Sequence, residues 1–142
     1  MNQTKNEQII RAGYAMAEGA HPDVERFTSL FAEDGVFTDE SSGQSFRGRK
    51  EIGIPVQIFA KAFPDMHREL YGVYVSGDVV VVELSLNGTH TGPLETAKGP
   101  IPASGKKIQV PCCDVFRLKD GQIKSFNCYV EATVLLSQTG VM

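Results

Sequence analysis

The sequence has no tryptophan, few cysteines and no long apolar run. Its three cysteines include the adjacent pair Cys112-Cys113, and no Cys-x-x-Cys motif or cysteine–histidine spacing of a zinc site occurs. A membrane-spanning helix needs roughly 18 or more consecutive apolar residues, and no stretch of the chain approaches that length. These absences argue against a bound metal and against a membrane partner.

Neither sign of charge dominates the chain. It carries 14 Lys and Arg residues against 17 Asp and Glu residues, for a formal net charge of −3, and the two signs are interspersed. Because no basic stripe is available to a phosphate backbone, we expect no nucleic-acid partner. The polar residues 1–8 lack the layout of a signal peptide, so we expect a cytoplasmic protein. A length of 142 residues predicts a single domain over 1–142.

Helical patterns occupy the N-terminal part of the chain and strand patterns the rest. Apolar residues recur at helical spacing over residues 3–19, and two further helices are predicted, from Pro22 and over residues 49–62, with a short hairpin between them. Four long strands are predicted over residues 67–76, 78–86, 106–119 and 122–131. We therefore predict an α+β fold with three N-terminal helices packed on a strongly curved antiparallel sheet, which leaves a cone-shaped cavity.

The last two strands are joined at Asp120-Gly121, a dipeptide typical of a two-residue type I′ hairpin turn. Regular antiparallel pairing from Lys119 and Gln122 then predicts four further pairs, namely Phe116 with Ser125, Asp114 with Asn127, Cys112 with Tyr129 and Val110 with Glu131. Directly opposed residues share a face. The resulting face mixes carboxylate, amide and phenol groups with apolar side chains, so we predict that it forms a pocket wall.

The opposite face of this hairpin is predicted to be almost wholly apolar, with Pro111, Cys113, Val115, Phe126, Cys128 and Val130. No helix remains to cover it, so we expect a homodimer that buries this outer sheet face. Cys113 and Cys128 would lie opposite each other, where a cross-strand disulfide is geometrically conceivable. In a reducing compartment we favour small buried residues instead.

Asp114 and Glu131 are the candidate catalytic residues on the predicted pocket face. Asp114 lies in mid-strand, where a carboxylate is rarely buried without a partner, and Asn127 across the strand could simply satisfy it. Glu131 is either a proton carrier with a raised pKa or a solvated carboxylate at a strand end. Tyr129 could donate to an oxyanion or fill the core, and Cys112, Phe116 and Asn127 are expected to contact the ligand.

A long segment rich in Gly, Pro and Thr separates the middle strands from the last hairpin, over residues 88–105. Such segments commonly form lids or rims of functional sites. His90 lies at its start and either faces the pocket as a proton carrier or is tied to the loop backbone. Tyr14, on the first helix, is a further candidate for the cavity mouth, although a core or surface position fits the pattern better.

Several motifs follow one another in the order of a known family. Phe63-Pro64-Asp65 follows the third helix, and it is followed by GTHTG at 88–92, GPIPASGKKIQVP at 99–111, CDVFRLKDGQI at 113–123 and NCYVEATVLLSQTG at 127–140. This combination resembles the SnoaL-like polyketide cyclases of the NTF2-like, or ketosteroid isomerase-like, superfamily. The resemblance covers most of the chain.

The resemblance implies an NTF2-like cone, usually dimeric, with an open-ended apolar pocket and no metal or organic cofactor. It also implies an intramolecular aldol condensation, in which one aspartate near the end of the last strand acts as acid and base. The matching position here is Glu131, ahead of the Leu135-Leu136-x-Gln-x-Gly segment. The carboxylate is therefore present but one methylene longer.

These observations lead to three hypotheses about function. The first is an acid–base enzyme, cyclase-like or isomerase-like, that acts on a hydrophobic carbonyl compound in an enclosed pocket. The second is a non-catalytic ligand-binding or assembly domain, since one fold can carry many functions. The third, addition of water to an epoxide, requires a cluster of Asp, Arg and Asn, and Arg117 is predicted on the wrong face of the hairpin for that role.

Overall fold

The computed structural model describes residues 2–142. In chain order the elements are α1 (Asn2–Met16), α2 (Val24–Ser29), β1 (Phe31–Asp39), β2 (Gln44–Arg47), α3 (Gly48–Ala62), β3 (His67–Ser76), β4 (Val79–Thr89), β5 (Lys107–Lys119), β6 (Gln122–Val130) and α4 (Ala132–Gln138). The three predicted N-terminal helices and the predicted strands are present. A fourth helix, α4, follows the last strand and was not predicted.

The strands form one curved, unclosed sheet in the order β2-β1-β6-β5-β4-β3, and the helices pack against it as an α+β cone. This confirms the predicted fold class. Neighbouring strands are antiparallel except β1 and β6, which run parallel. Because β5 and β6 lie in the middle of the sheet, the side chains on their inner face point into the space between sheet and helices.

Helix α1 covers that inner face with a regular apolar stripe. Ile10, Tyr14 and Ala17 recur at offsets of four and three residues and are 2%, 8% and 5% exposed. Tyr14 is therefore held on the buried side of the helix, above the centre of the sheet. At the other end of the chain, the Gln138 side chain of α4 makes two hydrogen bonds to the backbone of Gln109 in β5. This pairing holds α4 against the end of the cone.

The predicted register of the last hairpin is correct at its turn and wrong beyond it. Lys119 pairs with Gln122 and Leu118 with Ile123, but Arg117 pairs with Ser125, so that Lys124 is an extra residue in a β-bulge. A one-residue shift turns every later side chain to the other face. Asp114 therefore lies opposite Cys128 and not Asn127.

The bulge places Phe126 among the core aromatic rings. Its ring centroid is 4.2 Å from that of Phe116 and 4.4 Å from that of Phe37. With regular pairing this ring would face outwards and the Asn127 amide would be buried, which costs free energy without a hydrogen-bond partner. Burial of an aromatic ring in place of an amide is thus the physical reason for the bulge. The extra residue, Lys124, stays at the surface, where its ammonium lies 2.6 Å from an Asp34 carboxylate oxygen.

The same shift corrects two other predictions. Phe126, Cys128 and Val130 are on the inner face, so the outer face is less apolar than predicted. Cys113 stays on the outer face while Cys128 is on the inner one, so these two cysteines are not placed to form a disulfide, and all three cysteines are free. Over residues 2–142, the helices are too short or too polar to cross a membrane. The cytoplasmic location stays a prediction.

The bulge can be tested by comparing neighbouring residues of β6. We expect Phe126→Ala to lower the free energy of unfolding by about 3–5 kcal/mol, because it leaves a cavity in the aromatic cluster. Asn127→Ala should change it by less than about 1 kcal/mol, because this side chain lies on the outer face. Urea denaturation measures both values. A larger loss of stability for Asn127→Ala than for Phe126→Ala would contradict the bulge and support the regular register.

Candidate active site

A cavity of about 730 Å³ lies between the helices and the inner face of the sheet. Its lining is mostly apolar and aromatic, with contributions from Phe27, Phe37, Phe46, Val56, Phe59, Leu86 and Phe126. Residues 94–101 of the long loop and α4 line it as well, so this loop forms part of the cavity wall as its composition suggested. An apolar cavity with few polar groups is the usual form of a small-molecule site.

Asp114 is the most buried ionisable group in this cavity wall. It lies in the middle of β5, is 3% exposed, and its inward direction follows from strand alternation with Cys112 and Phe116. The Tyr14 hydroxyl donates a hydrogen bond to Asp114 Oδ2 at 2.5 Å, and the Cys112 thiol donates to Oδ1 at 3.3 Å. Each carboxylate oxygen keeps a further lone pair, because it can accept more than one hydrogen bond.

Burial determines the titration of this group. Loss of hydration raises the pKa of Asp114 above its ordinary value, although the hydrogen bonds from Tyr14 and Cys112 and the charge of Arg68 oppose the shift. The pKa of Tyr14 is raised well above its usual value by burial and by the adjacent Asp114 charge. Tyr14 therefore stays a neutral hydrogen-bond donor, and Asp114 exchanges a proton nearer to neutral pH than an exposed aspartate does.

Two thiols complete the surroundings of Asp114. The Cys112 and Cys128 sulfur atoms are 3.7 Å apart, and since the single Cys112 S–H points at Asp114, Cys128 donates to Cys112. The hydrogen bond with Cys128 lowers the pKa of Cys112, but burial and Asp114 outweigh it and leave that pKa raised. The hydrogen bond with Cys112 and burial raise the pKa of Cys128 well above its ordinary value.

The ligand atoms of Cys112, Asp114 and Cys128 lie within 4.8 Å of one another, close enough to hold a metal ion. A metal would have to displace the protons of both thiols, whose pKa values are raised in the absence of an ion. The hydrogen bonds from Cys128 to Cys112 and from Cys112 to Asp114 already satisfy all three groups. We therefore interpret this cluster as a hydrogen-bonded acid–base site.

Arg68 is a cavity residue that the sequence analysis missed. It lies on β3, and its Nη1 donates to the Ala17 carbonyl at 3.0 Å. Burial lowers the pKa of Arg68, and the carboxylates of Asp114 and Glu18 act in the opposite direction. A signal was available, since Arg68 shares a strand face with the apolar Leu70, two residues on, although His67 and Glu69 on either side made the segment look solvent-exposed.

The structure brings together four of the predicted site residues. Tyr14, Cys112 and Asp114 line the cavity side by side. Phe116 lies behind them, 3% exposed, with its ring edge-on to Tyr14 at 6.0 Å between centroids. Phe116 thus supports Tyr14 and is not among the residues that line the cavity.

Three other predicted site residues lie outside the cavity. Tyr129 is 49% exposed on the outer sheet face, and the Asn127 amide on the same face donates to Glu40. Both placements follow from the bulge at Lys124. Glu131 is exposed and precedes α4 as its N-cap residue, whereas its neighbours Val130 and Ala132 line the cavity. The prediction that Glu131 lines the pocket is therefore wrong, because the chain turns into α4 at this residue.

His90 is buried, but in the loop and not in the cavity wall. Its Nδ1 accepts a hydrogen bond from the Ser104 backbone at 3.2 Å and lies 2.9 Å from the Ser104 hydroxyl, while the ring packs on Phe63. Burial lowers its pKa. The alternative in which His90 is tied to the loop backbone is therefore confirmed. Its role is to hold the two ends of the long loop together, since Gly105 N–H also donates to the His90 carbonyl.

The model of a protein family described as SnoaL-like domain matches residues 10–126. The chain belongs to this SnoaL-like family. The match includes the second half of α1 with Tyr14, the strand with Arg68 and the centre of β5 with Asp114, whereas Cys128 and α4 lie beyond it. A search of curated proteins found no significant match.

Solved structures with this fold include several enzymes and proteins of related description. A candidate SnoaL-like polyketide cyclase from Jannaschia sp. CCS1 superposes with a TM-score of 0.87 at 21% identity, with 99% of this chain and 95% of that chain covered. A hypothetical protein with a ketosteroid isomerase-like fold from Catenulispora acidiphila has a TM-score of 0.78 at 23% identity, covering 94% and 93%. An epoxide hydrolase of the LEH-like type from M. tuberculosis has a TM-score of 0.73 at 14% identity, covering 98% and 92%.

At these identities the structural likeness shows the fold of the SnoaL-like domain and not its reaction. The neighbours carry different activities in their names, which agrees with the principle that function belongs to the site. The chemistry of this SnoaL-like domain has therefore to be argued from Asp114 and the groups around it.

The raised pKa of Asp114 predicts a pH-dependent stability that Asp114→Asn removes. An unfolded aspartate titrates near a pKa of about 3.9. Above that value the unfolded chain has lost a proton that the folded protein still holds, so the free energy of unfolding falls as pH rises through the folded-state pKa. We expect the stability of Asp114→Asn relative to the wild type to increase with pH over this window and then level off.

Urea denaturation of both proteins between about pH 4 and pH 8 measures this difference, since titrations common to both proteins cancel. A stability difference that does not change with pH, or that decreases as pH rises, would contradict the raised pKa.

Proposed function

We propose that this SnoaL-like domain is an acid–base catalyst, without metal or organic cofactor, that moves a proton next to the carbonyl group of a hydrophobic compound. The observation that carries the proposal is the position of Asp114, a single buried carboxylate facing an apolar cavity with a raised pKa. A general base works best when its pKa lies near the operating pH, and burial is a common means of raising it.

The reaction begins with the ionised form of Asp114. One carboxylate oxygen takes a proton from the carbon beside the carbonyl, the C–H electron pair becomes the carbon–carbon π bond of an enolate, and the carbonyl π pair moves onto oxygen. The protonated Asp114 then returns its proton, either to another carbon, as in an isomerisation, or to the alkoxide formed when the enolate attacks a second carbonyl, as in an aldol cyclisation. No redox partner is needed in either case.

Tyr14 and Cys112 orient the carboxylate for this step. Each donates to a different oxygen of Asp114, so the carboxylate plane is held fixed relative to the cavity. Preorganised groups of this kind contribute to catalysis because little reorganisation is needed during the reaction. The surrounding phenylalanines exclude water and bind the apolar part of the substrate, in line with the hydrophobic small-molecule ligand expected from the sequence.

Deuterium exchange tests the proposal without knowledge of the natural substrate. We expect the protein to accelerate exchange of the acidic C–H hydrogens of 2-tetralone in D₂O, measured by NMR against the buffer rate. Loss of a general base costs about 10²- to 10⁴-fold, so Asp114→Asn should bring the rate close to the buffer value. Tyr14→Phe should give a smaller loss, because it removes only an orienting hydrogen bond.

Glu131→Gln is the matched control, since this carboxylate is exposed outside the cavity, and we expect full activity for it. Persistent exchange with Asp114→Asn would exclude Asp114 as the base. If 2-tetralone and steroid ketones bind, as measured by thermal shift, but do not exchange, the non-catalytic ligand-binding function is supported instead. Mass spectrometry of co-purifying compounds would then identify the ligand.

Epoxide hydrolysis is the second candidate, and Arg68 is the observation in its favour. The cavity combines this arginine with Asp114 and Tyr14, whereas Arg117 stays on the outer face. The reaction also requires an amide to help position a water, and the Asn127 side chain points outwards to Glu40. We therefore rank epoxide hydrolysis below proton transfer next to a carbonyl. Formation of the diol from styrene oxide in the presence of the protein would favour epoxide hydrolysis instead.

The outer face of the sheet is proposed as a homodimer contact. It carries three tyrosines, Tyr71, Tyr74 and Tyr129, with 62%, 56% and 49% of their surface exposed, beside Val115. Aromatic residues are enriched at protein interfaces, and an exposed patch of them on a sheet face is a candidate contact surface. Neighbouring polar side chains such as Asn127 would then lie at or near the contact.

Sedimentation velocity tests the dimer. We expect the wild type to sediment with twice the mass of one chain and Tyr129→Glu to shift the equilibrium towards the monomer, because it places a charge in the contact. Gln57→Glu, at an exposed position of α3 away from this face, is the control and should remain dimeric. A monomeric wild type at high concentration would contradict the proposed contact.

A further inference from the structure

We propose that Arg68 binds the substrate oxygen on which negative charge develops when Asp114 removes the proton. Arg68 would thus be a catalytic residue that recognises ligands able to form an enolate or a phenolate-like oxyanion. This inference rests on the proposed function of Asp114 and extends it, because it names the group that receives the substrate oxygen and the chemical class of ligand.

The hydrogen-bond donors of Arg68 are only partly used by the protein. A guanidinium group has five N–H donors, and here Nη1 donates to the Ala17 carbonyl at 3.0 Å. Among the described residues, the one side-chain nitrogen or oxygen that is fully buried and without a partner is His90 Nε2. The remaining Arg68 nitrogens therefore adjoin open space, and Arg68 lines the cavity. Donors in this position are available to a ligand.

The protein places these free donors in the wall of the same cavity as the proposed base. Arg68 lies near enough to Asp114 for its charge to lower the pKa of that carboxyl, against the larger effect of burial. In a carbonyl compound the oxygen is two bonds from the carbon that loses the proton. A substrate with its acidic C–H against Asp114 and its carbonyl turned towards β3 would present its oxygen to the side of the cavity that Arg68 lines.

The charges of the site favour the enolate over the ketone. Before proton transfer, the Arg68 cation is balanced by the Asp114 carboxylate. After transfer Asp114 is neutral and the negative charge lies on the substrate oxygen. The Arg68 cation therefore has one negative partner at each stage, first Asp114 and then the substrate oxygen. A hydrogen bond from Arg68 to this oxygen is stronger when the oxygen is charged, and an interaction that strengthens along the reaction lowers the barrier.

The experiment uses an ionisable phenol as a stable mimic of the enolate. Asp114→Asn imitates the neutral state of Asp114 after it has taken the proton, so this variant should prefer bound 2-naphtholate over bound 2-naphthol. Absorption and fluorescence spectra distinguish the two forms across a pH titration. We expect the added substitution Arg68→Gln to reduce this preference by about 10- to 100-fold, as for the loss of a hydrogen bond to a charged group.

Two further variants define the role of Arg68. Arg117→Gln in the same Asp114→Asn background removes a guanidinium from the outer face of β5 and should leave the preference unchanged. Arg68→Lys keeps a cation and should reduce the preference less than Arg68→Gln does. It also serves as the test if Arg68→Gln, which loses the Ala17 contact, does not fold.

The outcomes separate this inference from the proposed function. If Arg68→Gln and Arg68→Lys leave the preference for naphtholate unaltered, or if Asp114→Asn binds neither form, Arg68 does not bind the oxyanion. Loss of deuterium exchange in Asp114→Asn would then still support Asp114 as the base. Conversely, deuterium exchange that persists in Asp114→Asn excludes Asp114 as the base and so contradicts the proposed function, whatever the result with 2-naphthol.

Discussion

The hydrogen bond between Tyr14 and Asp114 is the interaction on which the site depends. It joins the first helix to the central strand β5 across 100 residues of sequence, inside an otherwise apolar space. A carboxylate cannot be buried there at low cost unless donors replace its lost water. Tyr14 and Cys112 supply such donors, so the packing of the first helix also determines the electrostatics of the site. Loss of the Tyr14 hydrogen bond would leave Asp114 Oδ2 without its donor.

The β-bulge at Lys124 decides which side chains β6 contributes to this arrangement. Without it the amide of Asn127 and the phenol of Tyr129 would face Asp114, and the site would be polar and hydrated. With it, Phe126 and Cys128 face the cavity. β6 therefore contributes to the surroundings of the carboxylate only groups that hydrogen bond weakly or not at all, and burial has the largest effect on the pKa of Asp114. A single extra residue thus converts a structural aspartate into a candidate base.

Much of the fold could be predicted from the sequence, because it follows from local patterns. Helical spacing over α1 and α3, strand alternation and the Asp120-Gly121 turn were sufficient for the α+β cone and for the direction of Asp114. The bulge leaves no local signal, since Lys124 is as acceptable in a regular strand as in a bulge, and the competition between Phe126 and Asn127 for the interior is a tertiary effect. Glu131 was misplaced because the end of β6 and the start of α4 could not be located to the residue.

The opposing charges in the cavity explain why such a site can exist in a stable fold. A buried acid with a raised pKa destabilises the protein at neutral pH relative to a neutral side chain, and a partly buried arginine with free donors does the same. Each reduces the cost of the other, because the Arg68 cation favours the ionised Asp114 and the carboxylate favours the guanidinium. The pair therefore keeps both charges within a low-polarity cavity. In the proposed reaction, proton transfer to Asp114 passes the role of counter-ion for Arg68 to the substrate oxygen. The contact of Arg68 with that oxygen would then strengthen along the reaction, which is the differential binding that catalysis requires.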